Sequence, residues 1–114
     1  MTNTKVLCGA SSYEQKYYFN QEFDSLPQTI KDELRIMCVL YTEDVGGILT
    51  MEFEEGGQLE FKVTALEEDY LFDEIGSVLK VKQYQEEKRE LLEALELYYG
   101  TFFLSRDLDL EDKE

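Results

Sequence analysis

The strongest pattern along the chain is a double alternation. Leu49, Met51 and Phe53 alternate with Thr50, Glu52 and Glu54, and Leu59, Phe61 and Val63 alternate with Glu60, Lys62 and Thr64. A period of two belongs to a strand with one face in the core and the other in water. The Gly56-Gly57 pair lies between the two runs. A two-residue turn there would set Phe53 against Glu60 and split the apolar face. A three-residue loop, Glu55-Gly56-Gly57, pairs Phe53 with Leu59, Met51 with Phe61 and Leu49 with Val63, and keeps all six on one side. The pattern therefore predicts a hairpin over 48–64 with Gly57 in the left-handed conformation. That register opposes Glu52 to Glu60, so a cation is expected beside them, with Lys62 the nearest candidate.

Upstream, residues 4–10 read as a strand ended by Gly9 and Ser11-Ser12. Residues 13–19 read as a second, with Tyr17 and Phe19 on the core side and Lys16 and Tyr18 on the other. The period then changes. Ile30, Leu34, Met37, Cys38, Tyr41 and Val45 recur at helical spacing. Ser25 as cap, Gln28 as its capping-box partner and Pro27 in the first turn mark a start, and Gly46-Gly47 marks a stop. The prediction is a helix over 26–45. Ile36, Val39 and Leu40 lie off its stripe, and Glu43 and Asp44 sit where the helix dipole disfavours anions. The rival reading ends the helix near Arg35 and makes 36–42 a strand. The continuous helix satisfies more of the signals, and it demands a second packing surface for Ile36, Val39 and Leu40.

Beyond Glu67 the spacing is helical again. Leu71, Ile75, Val78 and Leu79 form one stripe, and Leu91, Leu92, Leu95, Tyr98, Tyr99 and Phe102 another, with a polar stretch between them. One long helix, or two abutting ones, is predicted over 69–99, with a loosening point at Gly76-Ser77 and a stop at Gly100. The charged tail, 105–114, carries no core signal and is expected to be disordered. The resulting expectation is one α+β domain over 1–104. Its small antiparallel sheet, built from the N-terminal strands and hairpin 48–64, packs against helix 26–45 and a long C-terminal helix.

Composition narrows the function classes. The 114 residues suffice for one core. Hydrophobic content of 43% argues for a folded chain despite a net charge of −15. That charge repels phosphate backbones and anionic membranes, so neither nucleic acid nor membrane is expected as a partner. There is no histidine, which removes the commonest general base, the usual nucleophile pairs and most zinc sites. Cys8 and Cys38 lie in apolar runs outside any CxxC spacing and read as buried free thiols. Neither a signal peptide nor a membrane-length apolar run is visible, which makes the cytoplasm the expected compartment.

Three constellations are candidates for chemistry. Asp69 and Asp73, one turn apart if helical, could share a divalent cation through oxygen, although acids also gather at helix starts for dipole reasons. Thr42-Glu43-Asp44 beside Gly46-Gly47 sets carboxylates against apolar neighbours, where they could act as acid or base or simply face solvent. Gln85 to Glu90 offers i,i+3 and i,i+4 ion pairs, as a solvated face or as a seam between two copies. No catalytic or cofactor signature stands above these, so the residues point away from an enzyme and assign no cofactor. The expected interaction surface is Tyr13, Tyr18, Ile36, Val39, Leu40, Glu43 and Asp44.

The phrases Ser12-Tyr-Glu-Gln-Lys-Tyr-Tyr-Phe-Asn20, Met37-Cys-Val-Leu-Tyr-Thr-Glu-Asp-Val-Gly-Gly47 and Asp73-Glu-Ile-Gly76 carry a resemblance over nearly the whole chain. It is similar to a family of short bacterial proteins of unknown function from clostridial-type anaerobes. The resemblance implies a cytoplasmic bacterial protein and brings no activity, ligand or catalytic residue with it. The reading that best fits the residues is a non-catalytic protein-binding or adaptor module, homodimeric and holding a protein partner. The alternatives are a small carboxylate enzyme dependent on a divalent metal, and an acidic mimic of nucleic acid.

Overall fold

The computed structural model describes residues 4–104. The order of elements is β1 (Lys5–Ser11), β2 (Lys16–Phe19), α1 (Gln28–Val45), β3 (Ile48–Phe53), β4 (Leu59–Thr64), α2 (Glu74–Glu87) and α3 (Arg89–Tyr99). The four strands form one antiparallel sheet in the order β2-β1-β3-β4. The fold is α+β, with helices on one sheet face and the other face open, as antiparallel sheets allow. The tail expected to be disordered, 105–114, lies outside the described residues.

The hairpin has the register that the alternation requires. Leu49 opposes Val63, Met51 opposes Phe61 and Phe53 opposes Leu59. Gly57 takes a positive φ of 99°, and its N–H donates to the Glu54 carbonyl at 2.8 Å. On the open face Glu52 opposes Glu60. Lys62 pairs there with Glu54 at 3.1 Å, and its ammonium pKa is raised by that hydrogen bond first and by the charges of Glu54, Glu52 and Glu60.

Helix α1 is continuous through 36–42, which settles the rival reading in favour of the helix. Leu34, Met37, Cys38, Tyr41 and Val45 are buried against the sheet. Its start differs from the expectation. Pro27 occupies the cap position without a side-chain cap, Ser25 instead bonds the Tyr98 hydroxyl at 2.7 Å, and Gln28 reaches forward to Asp32. A side chain drawn into a tertiary hydrogen bond is not free to cap its own helix. Strand β2 begins at Lys16 rather than Tyr13, because 12–15 form the turn from β1, with Gln15 at positive φ.

The C-terminal helix is two abutting helices, and it starts later than expected. Asp73 caps α2 by accepting from the Gly76 N–H at 2.9 Å, so Asp69 lies in the preceding loop. Gly76 is not the break. It sits in the first turn, where a Cβ would collide with the capping Asp73 carboxylate. The break falls at Lys88, whose backbone (φ −107°, ψ 23°) leaves the helical region. Its ammonium reaches back to Glu33 of α1 at 2.9 Å.

Helix α2 runs antiparallel to α1. The contacts Tyr41–Ser77, Met37–Tyr84 and Glu33–Lys88 step along the two helices in opposite directions. Helix α3 closes the far end of the core with an aromatic group: Tyr99 stacks on Phe53 at 4.2 Å, and Phe23 packs on Phe53, Tyr99 and Phe103.

Candidate functional site

The residues expected to form an interaction surface divide among three places. The first is a depression of about 410 Å³ lined by Ser12, Tyr13, Thr42, Glu43, Asp44 and Asp69. The β1–β2 turn brings Tyr13 there. Its hydroxyl donates to Asp69 Oδ2 at 2.6 Å and accepts from the Leu66 N–H at 3.0 Å. Asp69 Oδ1 accepts from the Leu71 N–H at 3.0 Å. The Asp69 hydrogen bond, ahead of the other causes, raises the Tyr13 phenol above its ordinary value. Tyr13 thus pins the loop 65–73 to the β1–β2 turn.

The carboxylates in and just beyond this depression, Glu43 excepted, are committed to separate tasks. Asp44 pairs with Lys80 at 2.8 Å. Asp69 holds Tyr13, Asp73 caps α2, and Glu43 is exposed. Among the described residues no group of three or more His, Cys, Asp or Glu is placed to hold a metal ion. Among them, too, no helix is long and apolar enough to cross a membrane.

The second place is a neighbouring groove of about 460 Å³ between α1 and β2, where Val39 lies with Tyr17, Arg35 and Thr42. The third is the outside of α1, where Ile36 and Leu40 are exposed one helical turn apart. Tyr18 joins none of these. It pairs with Gly9 on the open face of the sheet, away from α1.

The largest departure from expectation is the stripe Leu71, Ile75, Val78 and Leu79. It does not face the core. Leu71 is 94% exposed, Ile75 76% and Leu79 62%. The side of α2 that meets α1 and the sheet carries Ser77 and Tyr84 instead, both buried. Ser77 bonds the buried Tyr41 hydroxyl, and Tyr84 donates to the Met37 carbonyl at 3.2 Å. Two polar side chains take the inner face because each has a partner there. Leu66 and Val78 line one groove of about 400 Å³ along this edge, and Tyr70 is nearly bare beside them. The apolar surface therefore runs from the 66–71 loop along the outer face of α2.

Charge along the same segment is uneven. Glu67, Glu68, Asp69, Asp73 and Glu74 gather at the N-terminal end of α2, Lys80 and Lys82 follow around its middle, and Glu86 and Glu87 close it. Position 82 falls one turn beyond Val78 and Leu79, on the outward side.

These features define a small α+β protein with an exposed apolar face on its second helix. The chain belongs to a family of unknown function, DUF6145, whose model matches residues 4–107. No curated protein and no solved structure matches it.

Proposed function

We propose that the protein is a non-catalytic protein-binding module that works as a homodimer, closed through the outer face of α2. The exposure of Leu71, Ile75, Val78 and Leu79 carries this reading. Burying each such side chain is worth about 1.5–3 kcal/mol, so leaving them in water is a standing cost that association removes.

The occupant is a second copy because the face is self-complementary. In an antiparallel crossing about a two-fold axis near Val78, Lys82 of each copy meets the acidic end of the other α2. A parallel crossing would bring like charges together. A two-fold contact uses one patch twice, which is the commonest way for a chain to associate with itself. The acidic depression at Tyr13, Glu43 and Asp44 borders this face, with Leu71 on its rim. With Ile36 and Leu40 on the outside of α1 it offers surface to a separate protein partner of basic or neutral-apolar character.

Gel filtration of Leu79→Glu tests the self-contact: the variant is expected to elute later than the parent chain with an unchanged circular dichroism spectrum. Unchanged elution would sink this interface. For the adaptor role, a tagged chain from the native cell should retain a defined protein and lose it on Ile36→Glu; retention of nothing above background ends that part of the proposal.

A further inference from the structure

Both cysteines and one of the three methionines meet in the core. Cys8 Sγ lies 3.8 Å from Cys38 Sγ and 3.8 Å from Met51 Sδ, and Cys38 Sγ lies 3.9 Å from Met51 Sδ. The three sulfurs form a nearly equilateral triangle with no solvent exposure on any of the residues. Three elements build it. Cys8 on β1 and Met51 on β3 are direct cross-strand partners on the core face, and Cys38 comes down from α1. The β1 bulge between Val6 and Cys8 sets that pairing.

We propose that this triangle is a binding site for monovalent copper, with two thiolates and one thioether as ligands. An ion at its centre lies about 2.2 Å from each sulfur, a metal–sulfur bond length, when the sides are 3.8–3.9 Å. Thiolate and thioether sulfur together select Cu(I) among the common biological metals. Zinc would need a fourth strong donor in a tetrahedron, and the chain has no histidine to supply one. Here the chain's only two cysteines, 30 residues apart, converge on the same methionine from opposite layers.

The surroundings fit a metal–thiolate centre. The Tyr17 hydroxyl oxygen is buried without a hydrogen-bond partner, beside Cys8 and Cys38. It can donate to a thiolate sulfur, which orients and stabilises the ligand. Arg35 lies close enough to Tyr17 to act on it electrostatically. Tyr17 also lines the 460 Å³ groove between α1 and β2, so it stands between that groove and the sulfurs. Binding exchanges protons for metal: one Cu(I) enters, two S–H protons leave, and no electron is transferred.

The test is anaerobic titration of the full chain with Cu(I) against a chromogenic Cu(I) chelator, followed by X-ray absorption on the loaded protein. One copper per chain is expected, with three sulfur scatterers near 2.2 Å. The volume-conserving Met51→Leu should keep its fold and lose at least tenfold in affinity, and Cys8→Ala/Cys38→Ala should lose binding altogether. Copper stripped completely from the parent chain, or retention unchanged in Met51→Leu, would overturn the assignment. The measurements on the parent chain need no variant to fold, and they do not depend on the dimer.

Discussion

At the scale of single residues, the inner face of α2 rests on one polar pair. The Tyr41 and Ser77 hydroxyls bond each other where both residues are buried. Removing one partner leaves the other buried and unsatisfied, which costs more than the bond itself contributes. Tyr41→Phe should therefore destabilise by about 1–3 kcal/mol. Adding Ser77→Ala should recover part of that loss. Urea unfolding of the two single variants and the double variant checks the coupling, and strict additivity would contradict it. Gly47 is the second sensitive position. Its φ is +76°, and a Cβ would stand 2.8 Å from the Thr64 carbonyl oxygen and 2.9 Å from the Phe72 ring. Gly47→Ala should cost at least about 1–2 kcal/mol through the left-handed backbone alone, read in the same unfolding assay.

Ionisation adds an alkaline limit. Burial raises the Tyr41 and Tyr84 phenols, and the hydrogen bonds that Lys80 and Lys88 donate to Asp44 and Glu33 raise those ammonium groups. Groups raised in the fold hold protons more tightly there than in the unfolded chain. Their stabilisation is complete below the unfolded values, about 10 for Tyr and Lys, and is lost as pH climbs through the folded ones. The melting temperature should therefore fall above about pH 10. Scans across that range check it, and a rising melting temperature would contradict the assignment.

At the scale of elements, the parts that could be read from the sequence are those with a redundant signal. The hairpin was legible to the residue because only one register keeps Leu49, Met51, Phe53, Leu59, Phe61 and Val63 together, and Gly57 supplied the turn. Helix α1 was legible because an apolar stripe and a glycine stop agreed. Helix α2 was not, because a helical stripe has the same spacing whether it faces the core or the solvent. Nothing local says that Ser77 and Tyr84 find partners on α1, 36 and 47 residues away. The break at Lys88 has no Gly or Pro to announce it. The Tyr13–Asp69 bond and the sulfur triangle are long-range, so their residue types were visible and their meeting was not. The start of α2 makes a separate prediction. Asp73→Ala removes its cap and should cost about 1 kcal/mol, visible as faster amide exchange over residues 74–78.

At the scale of the whole molecule, the chain puts an apolar helix face outward while carrying a net charge of −15. A large like charge on both copies opposes association, so the contact has to place opposite charges close together at its rim. Lys82 opposite the acidic end of α2 does this in the antiparallel crossing. Lys82→Glu should weaken the dimer by a few-fold to about tenfold, the range of two exposed ion pairs. Glu74→Lys in the same chain should restore much of it. The shape of the concentration dependence in each case reports the dissociation constant.

The most direct test of the account is the solution mass of the unmodified chain, measured by light scattering across a concentration series. The account predicts a mass approaching twice the 13.4 kDa of one chain, falling toward that value on dilution. A mass of one chain at every concentration would contradict it and leave the outer face of α2 without its proposed occupant.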